Sequence, residues 1–274
     1  VMDAQGVLNW MGDVFRALRE EPLCGHDDDH TDSSLANLDG PRPVRPNLRP
    51  VAPCALVPKG TDLSQTSLLC RRLDGLPRLG IATIVAEMAS FHQDLGETKN
   101  LRLMVPVDLR RRHPTIKSTG NLSLPLFLDV AVNATAEQIN ASVISQLSQQ
   151  LECSVDPSEK WLDRFPPWAA ATFIRAICTW GSKTGGFVAT ALVSHLGQIS
   201  LADFSAPGFD ASTLQSLPVA AGLVPLVVTV VELGDHVQIG VCAPDAPESH
   251  HKTNTLLDHI EAAARRSTPS RPAD

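Results

Sequence analysis

Arg110 is the side chain best placed to do specific chemistry. It ends the stretch Leu101–Arg110, whose odd positions Leu101, Leu103, Val105, Val107 and Leu109 are apolar and whose even positions carry Arg102, Asp108 and Arg110. That alternation predicts a half-buried strand, with Arg110 leaving on the face opposite the core aliphatics. A guanidinium there is either solvated or held by a carboxylate in a fixed fork. Pro106 cannot donate to a ladder, which puts the strand at an edge or a bulge there. Near the start of the chain, Asp3 precedes a helical pattern and reads as its N-cap. His26-Asp27-Asp28-Asp29-His30 offers metal-ligand types, as does His250-His251. No helix fixes the first pair of imidazoles and no distant partner is indicated, so both read as solvated and no metal site is expected. The six cysteines are widely scattered and include no Cys-x-x-Cys pair. They read as reduced, mostly buried thiols of a cytoplasmic protein, although an even number leaves disulfides formally open.

These residues need elements to hold them. Val7, Leu8, Met11, Val14, Phe15 and Leu18 repeat at helical spacing before Pro22. Residues 23–60 are rich in Asp, Ser, Pro and Gly and read as a long surface connection. Strands are expected over Gln65–Leu73, Leu101–Arg110, Asn121–Val132 and Phe187–Leu196, with a further extended piece over Leu214–Val219. A hairpin follows, Pro225–Leu233 and His236–Cys242, joined by Gly234-Asp235 with Gly first, as a type II′ turn prefers. Helices are expected over Leu76–Leu95, from a Thr135 cap through Leu151, from Asp156 through Phe165, from Pro166-Pro167 to Gly185-Gly186, and over Thr253–Arg266. The whole is a mixed α/β lobe with a largely antiparallel sheet and packed helices.

Thirty acidic residues against 23 Lys and Arg give a net charge of −7, and the cations cluster only at Arg110-Arg111-Arg112. Nucleic acid is not an expected partner, because a basic stripe is the minimum signal for it. No apolar run approaches membrane-spanning length. The chain opens on Val1 and runs at once into helical sequence without a leader, which reads as a piece that begins inside a larger domain.

Three short segments carry a family resemblance. Val1-Met2-Asp3-Ala4-Gln5-Gly6 and the helix after it resemble the back end of the His-His-x-x-x-Asp-Gly motif. Leu103-Met104-Val105-Pro106-Val107-Asp108-Leu109-Arg110 with Thr119-Gly120-Asn121 resembles a Val-Pro-Val-Asp-Leu-Arg strand with a later Gly-Asn. Val193-Ser194-His195-Leu196-Gly197 resembles a Val-Ser-Asn-x-Gly segment. Together, in this order, they resemble the condensation domains of nonribosomal peptide synthetases and the related coenzyme A-dependent acyltransferases.

The resemblance implies the C-terminal portion of a two-lobed, chloramphenicol-acetyltransferase-like enzyme. Residues 1–22 would be the last helix of the N-terminal lobe, 23–60 the inter-lobe linker, 61–266 the C-terminal lobe and 267–274 a tail. It implies acyl transfer from a thioester on coenzyme A, or on the phosphopantetheine of an acyl carrier protein, to an alcohol or amine in natural-product or lipid biosynthesis. No cofactor is bound permanently. The motif's second His, the general base, would lie two residues before Val1, so this chain alone is expected to be inactive and to need its N-terminal lobe. The motif Asp is Asp3, whose structural partner is Arg110 in a bidentate pair. Ser194, His195 and Asn121 become candidates for the substrate channel, alongside a small-molecule acceptor. Three features depart from the family pattern: Ala4 stands where the motif has Gly, His195 where it has Asn, and only Asp203-Phe204 of an Asp-Phe-Gly-Trp-Gly motif is present. A domain that binds a carrier protein or partner enzyme without catalysis is the alternative.

Overall fold

The computed structural model describes every residue except 1, 26–29, 32–33, 37–42, 44–51, 77, 155–164, 220–221 and 268–274, with Ser267 described in its backbone alone. The His26–Asp29 segment, all but Phe165 of the helix expected from Asp156 through Phe165, and nearly all of the tail lie outside the described residues. Among those described, no group of His, Cys, Asp or Glu could hold a metal ion, and no helix is long and apolar enough to cross a membrane. All six cysteines are free.

Helix α1 (Ala4–Leu18) leads, through an irregular stretch, to β1 (Thr66–Asp74), α2 (Ile81–Asp94), β2 (Leu101–Asp108) and β3 (Ser123–Val130). Then come α3 (Ala136–Ser148), α4 (Pro167–Thr184), β4 (Ala191–Gln198), the hairpin β5 (Val227–Leu233) and β6 (His236–Pro244), and α5 (Pro247–Ser267). The six strands form one sheet in the order β1-β6-β5-β4-β2-β3. Its outer pairs β1–β6, β5–β6 and β2–β3 are antiparallel, and the central pairs β2–β4 and β4–β5 are parallel. Leu103, Val105, Leu126, Leu128, Val193, Val228 and Ile239 meet Ile84, Val85 and Met88 of α2 and Leu256, Leu257 and Ile260 of α5 in one core. Burying an aliphatic side chain of this size is worth about 1.5–3 kcal/mol, so this layer anchors the sheet.

Pro106 is accommodated differently from the sequence expectation. β2 is an interior strand, and its register with β3 runs unbroken from Leu101↔Val130 to Asp108↔Ser123. Pro106 faces Pro125, a pairing that two residues without N–H can only make at a non-hydrogen-bonded position. The donor Pro106 lacks would point at β4. There the ladder holds only Leu103↔Ala191 and Met104↔Leu192, and beyond it the two strands part.

Several boundaries also shift. The strand of Arg110 stops at Asp108, and Leu109–Arg111 form a 3₁₀ turn capped by the Asp108 carboxylate, which accepts from Arg110 N at 3.1 Å. Arg110 therefore leaves the strand's alternation, and of the two fates open to it, solvated or held by a carboxylate, it has the second, buried. α2 begins at Ile81 instead of Leu76, because the Leu79 amide is drawn off to the Glu232 carboxylate at 2.8 Å. α3 has a reciprocal capping box between Thr135 and Gln138 and stops before the left-handed Gln150, so Leu151 falls in a 3₁₀ turn. Phe187 makes one bridge to Ala52, outside β4. Leu214–Val219 joins no ladder. It lies over the outer face of the hairpin, where Ser216 O accepts from Thr229 Oγ1 at 2.9 Å. Residues 23–60 do not run wholly over the surface either, since Leu35, Ala52, Cys54, Leu56 and Val57 are buried.

Candidate functional site

Asp3 caps α1: its Oδ1 accepts from Gly6 N at 2.6 Å. The same carboxylate accepts both ends of the Arg110 fork, Nη2 on Oδ1 at 3.2 Å and Nη1 on Oδ2 at 3.1 Å. Oδ2 also accepts from Leu122 N at 2.9 Å and Ser123 Oγ at 2.8 Å. Arg110 in turn spends all five of its N–H groups. Besides Asp3 they reach Asp108 Oδ1 at 2.7 Å, Gly120 O at 2.6 Å and, from Nε, Ser118 O at 3.2 Å. Both side chains are over 90% buried. Burial alone would push the Asp3 carboxyl up, but the bonds from Arg110, Gly6, Leu122 and Ser123 prevail and hold it below the usual carboxylate range. Burial likewise opposes the Arg110 charge, and the two carboxylates raise its pKa in spite of it.

The clasp seats α1 on the 118–122 loop, and the approach is close. A Cβ on Gly6 would lie 2.2 Å from Thr119 O, so this position admits only glycine without movement. Asn9 Nδ2 adds a bond to Ser118 O at 3.2 Å.

Beside the clasp, where β2 and β4 diverge, lies a cleft of about 820 Å³. Its walls are mainly aliphatic: Ile81, Met104, Leu126, Val143, Leu147 and Leu192. Asp3, Asn121, Ser194 and His195 all border it, so four of the sequence candidates converge on one space, with Arg110 directly behind Asp3. His195 has both ring nitrogens engaged. Nδ1 accepts from Gly197 N at 3.0 Å, which leaves the neutral ring's proton on Nε2, facing Leu79 O at 2.9 Å and Glu232 Oε1 at 3.4 Å. Gly197 has φ +78°, at the point where the β4–β5 register shifts. That left-handed bulge is what turns its N–H back onto the imidazole.

Glu232 escaped the sequence reading. Its carboxylate is buried and ties the start of α2 to the His195 end of β4. The one available signal was a lone carboxylate inside the apolar run Val230-Val231-Glu232-Leu233, because a buried charge needs a partner. Asp203 and Phe204 form a 3₁₀ turn whose Phe204 ring meets Phe15 edge-on at 6.1 Å. His250 bonds Asp245 at 3.0 Å, and neither His250 nor His251 belongs to a metal-binding group among the described residues.

No protein-family model and no curated protein matches this sequence. Solved structures do match in fold. A double mutant of the starter condensation domain of rhizomide synthetase RzmA superposes with a TM-score of 0.55 at 14% identity, covering 100% of this chain and 66% of that one. A single mutant of the same domain gives 0.54 at 13%, with the same coverage. The PapA2 acyl transferase gives 0.46 at 16%, covering 95% and 54%, a likeness too weak to argue from. The chain thus spans less than two thirds of these structures, and it has the mixed α/β fold of condensation domains and chloramphenicol-acetyltransferase-like proteins.

Proposed function

We propose that the protein is a condensation-type acyltransferase of which this chain is the C-terminal part. Residues 1–22 would close an N-terminal lobe, 23–60 would connect the lobes, and 61–266 would form the second lobe. The acyl donor is a thioester on coenzyme A or on a phosphopantetheinyl carrier protein, and the acceptor is an alcohol or amine of natural-product or lipid biosynthesis. A histidine upstream of Val1 takes the acceptor proton as its oxygen or nitrogen attacks the thioester carbonyl. The C–O or C–N bond forms, the C–S bond breaks, and the imidazolium returns the proton to the leaving thiolate. Ser194 and Asn121 are the polar groups assigned to the carbonyl oxygen, on which negative charge develops. His195 is left to hold the wall, since neither of its nitrogens is free.

The observation that carries this reading is the convergence of the Asp3–Arg110 clasp and an aliphatic-walled cleft on one spot. The clasp fixes the start of α1, immediately after the position the reading gives to the base, beside the space a thioester would occupy. The condensation-domain fold is consistent with it. The alternative, a domain that binds a carrier protein without catalysis, draws on a different fact. Every carboxylate and imidazole bordering the cleft already has a partner, so none of these is free to act as the base. Intact-mass measurement of the full-length protein with a panel of acyl-CoA and acyl-carrier thioesters and mixed alcohol and amine acceptors separates the two. Acylated acceptor, lost when the upstream histidine is replaced, supports the enzyme. Carrier binding with no product on any donor supports the binding domain.

A further inference from the structure

A second chamber, of about 380 Å³, lies along the other side of α1, between that helix and the end of β4 with the turn after it. Gln5 and Leu196 border both spaces, so the first turn of α1 partitions them. The two differ in character. Among aliphatic side chains such as Leu8 and Ile199, the second chamber also has Asn9, Arg16, Arg19, Lys117, Gln198 and Ser200.

Its charges are unequally committed. Asp13 Oδ1 accepts from Cys24 N at 2.9 Å. Arg19 is bound to Glu21 at 2.9 Å and to Ser205 O at 2.6 Å. Lys117 has one long contact, 3.4 Å, to Cys24 O, and Asp203 stands exposed at the rim. Arg16 is half-buried on the helix face that borders the chamber, and its guanidinium makes neither an ion pair nor a hydrogen bond with any described residue. Glu21 is close enough to feel its charge, but Arg19 already holds that carboxylate. A guanidinium is a planar fork of donors suited to carboxylate and phosphate. Half-buried without a protein acceptor, it is free to take one from a ligand.

Arg16 is eleven positions beyond Gln5 at the partition, about 16 Å along the helix, so a molecule reaching from one to the other is elongated.

We propose that this chamber holds the acyl acceptor, and that the acceptor is an elongated alcohol or amine with an anionic end group, carboxylate or phosphate, bound by Arg16. The inference rests on the acyltransferase reading above and adds the acceptor's class to it.

The test titrates the isotopically labelled protein by NMR with matched probes. One arm compares 8-hydroxyoctanoate with 1,8-octanediol, and the other compares 8-hydroxyoctyl phosphate with the same diol. The expected result is at least about tenfold tighter binding of the charged member in one arm, which identifies the end group. Shifts should centre on α1 and Gln198–Ser200, and R16Q should erase the preference. K117Q, measured in parallel, keeps the question answerable if R16Q melts early, because it should reduce the same preference without removing it. Equal binding of charged and uncharged members, or a preference that survives both substitutions, overturns the proposal. A non-hydrolysable acyl-CoA thioether is titrated alongside. If it shifts the cleft residues while no probe shifts the chamber, only the acceptor assignment fails. If it binds nowhere, the acyltransferase reading fails with it.

Discussion

At the scale of single residues, Asp3 and Arg110 do two jobs with one contact. The carboxylate ends the helix's orphan N–H groups and neutralises a buried guanidinium that would otherwise be untenable. R110A strands Asp3 beside Asp108 and removes the donors of Ser118 O and Gly120 O, so urea unfolding should show a loss of about 3–5 kcal/mol. A change of a few tenths would mean that the pair is hydrated. The same carboxylate sets a pH dependence. Its folded pKa lies below the ordinary value of 3.8, so its contribution is fully present above pH 3.8 and is lost as pH falls through the folded pKa. Stability measured from pH 6 downward should therefore fall more steeply for the natural protein than for D3N, which cannot titrate there. Little of this was legible from spacing. A strand-end arginine and a helix-capping aspartate 107 positions apart have no pattern in common, and they were joined only through a motif resemblance. Glu232 was missed because its partners, the Leu79 amide and His195, come from elements far away in sequence.

At the scale of elements, the cleft follows from one missing donor. Pro106 would face β4 with an N–H it does not have, so the β2–β4 ladder ends two residues earlier and the sheet opens where the polar candidates sit. The presence of each amphipathic element was readable, because apolar periodicity is local and strong: β1, β2, β3 and the hairpin with its left-handed Gly234 all follow it. The errors arose where tertiary partners outbid local pattern. Glu232 shortens α2, the 3₁₀ turn takes Arg110 off its strand, and Leu35, Leu56 and Val57 turn a proline-rich connection inward. Gly6 tests the seating of α1. Its Cβ-free surface lies against Thr119 O, so G6A should cost about 1–3 kcal/mol, although alanine is the better helix former. Thermal unfolding with no loss, or a gain, would show that α1 does not press on the 118–122 loop.

At the scale of the whole molecule, α1 reports on what surrounds the lobe. Val7, Trp10, Val14 and Leu18, spaced as one helical stripe, are 40–59% exposed, while Phe15 on another face stacks with Phe209 at 5.5 Å and meets Phe204 edge-on at 6.1 Å. A helix apolar on two sides suits a place between two layers, which is where the proposed N-terminal lobe would put it. The condensation-domain structures are longer than this chain by a third of their own length. In the full-length protein, Trp10 should accordingly be protected from an aqueous quencher such as iodide, and full quenching would argue against a second layer there. Under the proposed function the cleft between β2 and β4 receives the acyl thioester. Photocrosslinking of the full-length protein with a diazirine-bearing acyl-CoA, read by peptide mass mapping, tests this. Label should fall on Met104, Leu147 or Leu192 and be competed away by unlabelled acyl-CoA; label confined to other surfaces, or indifferent to competitor, would contradict the proposal.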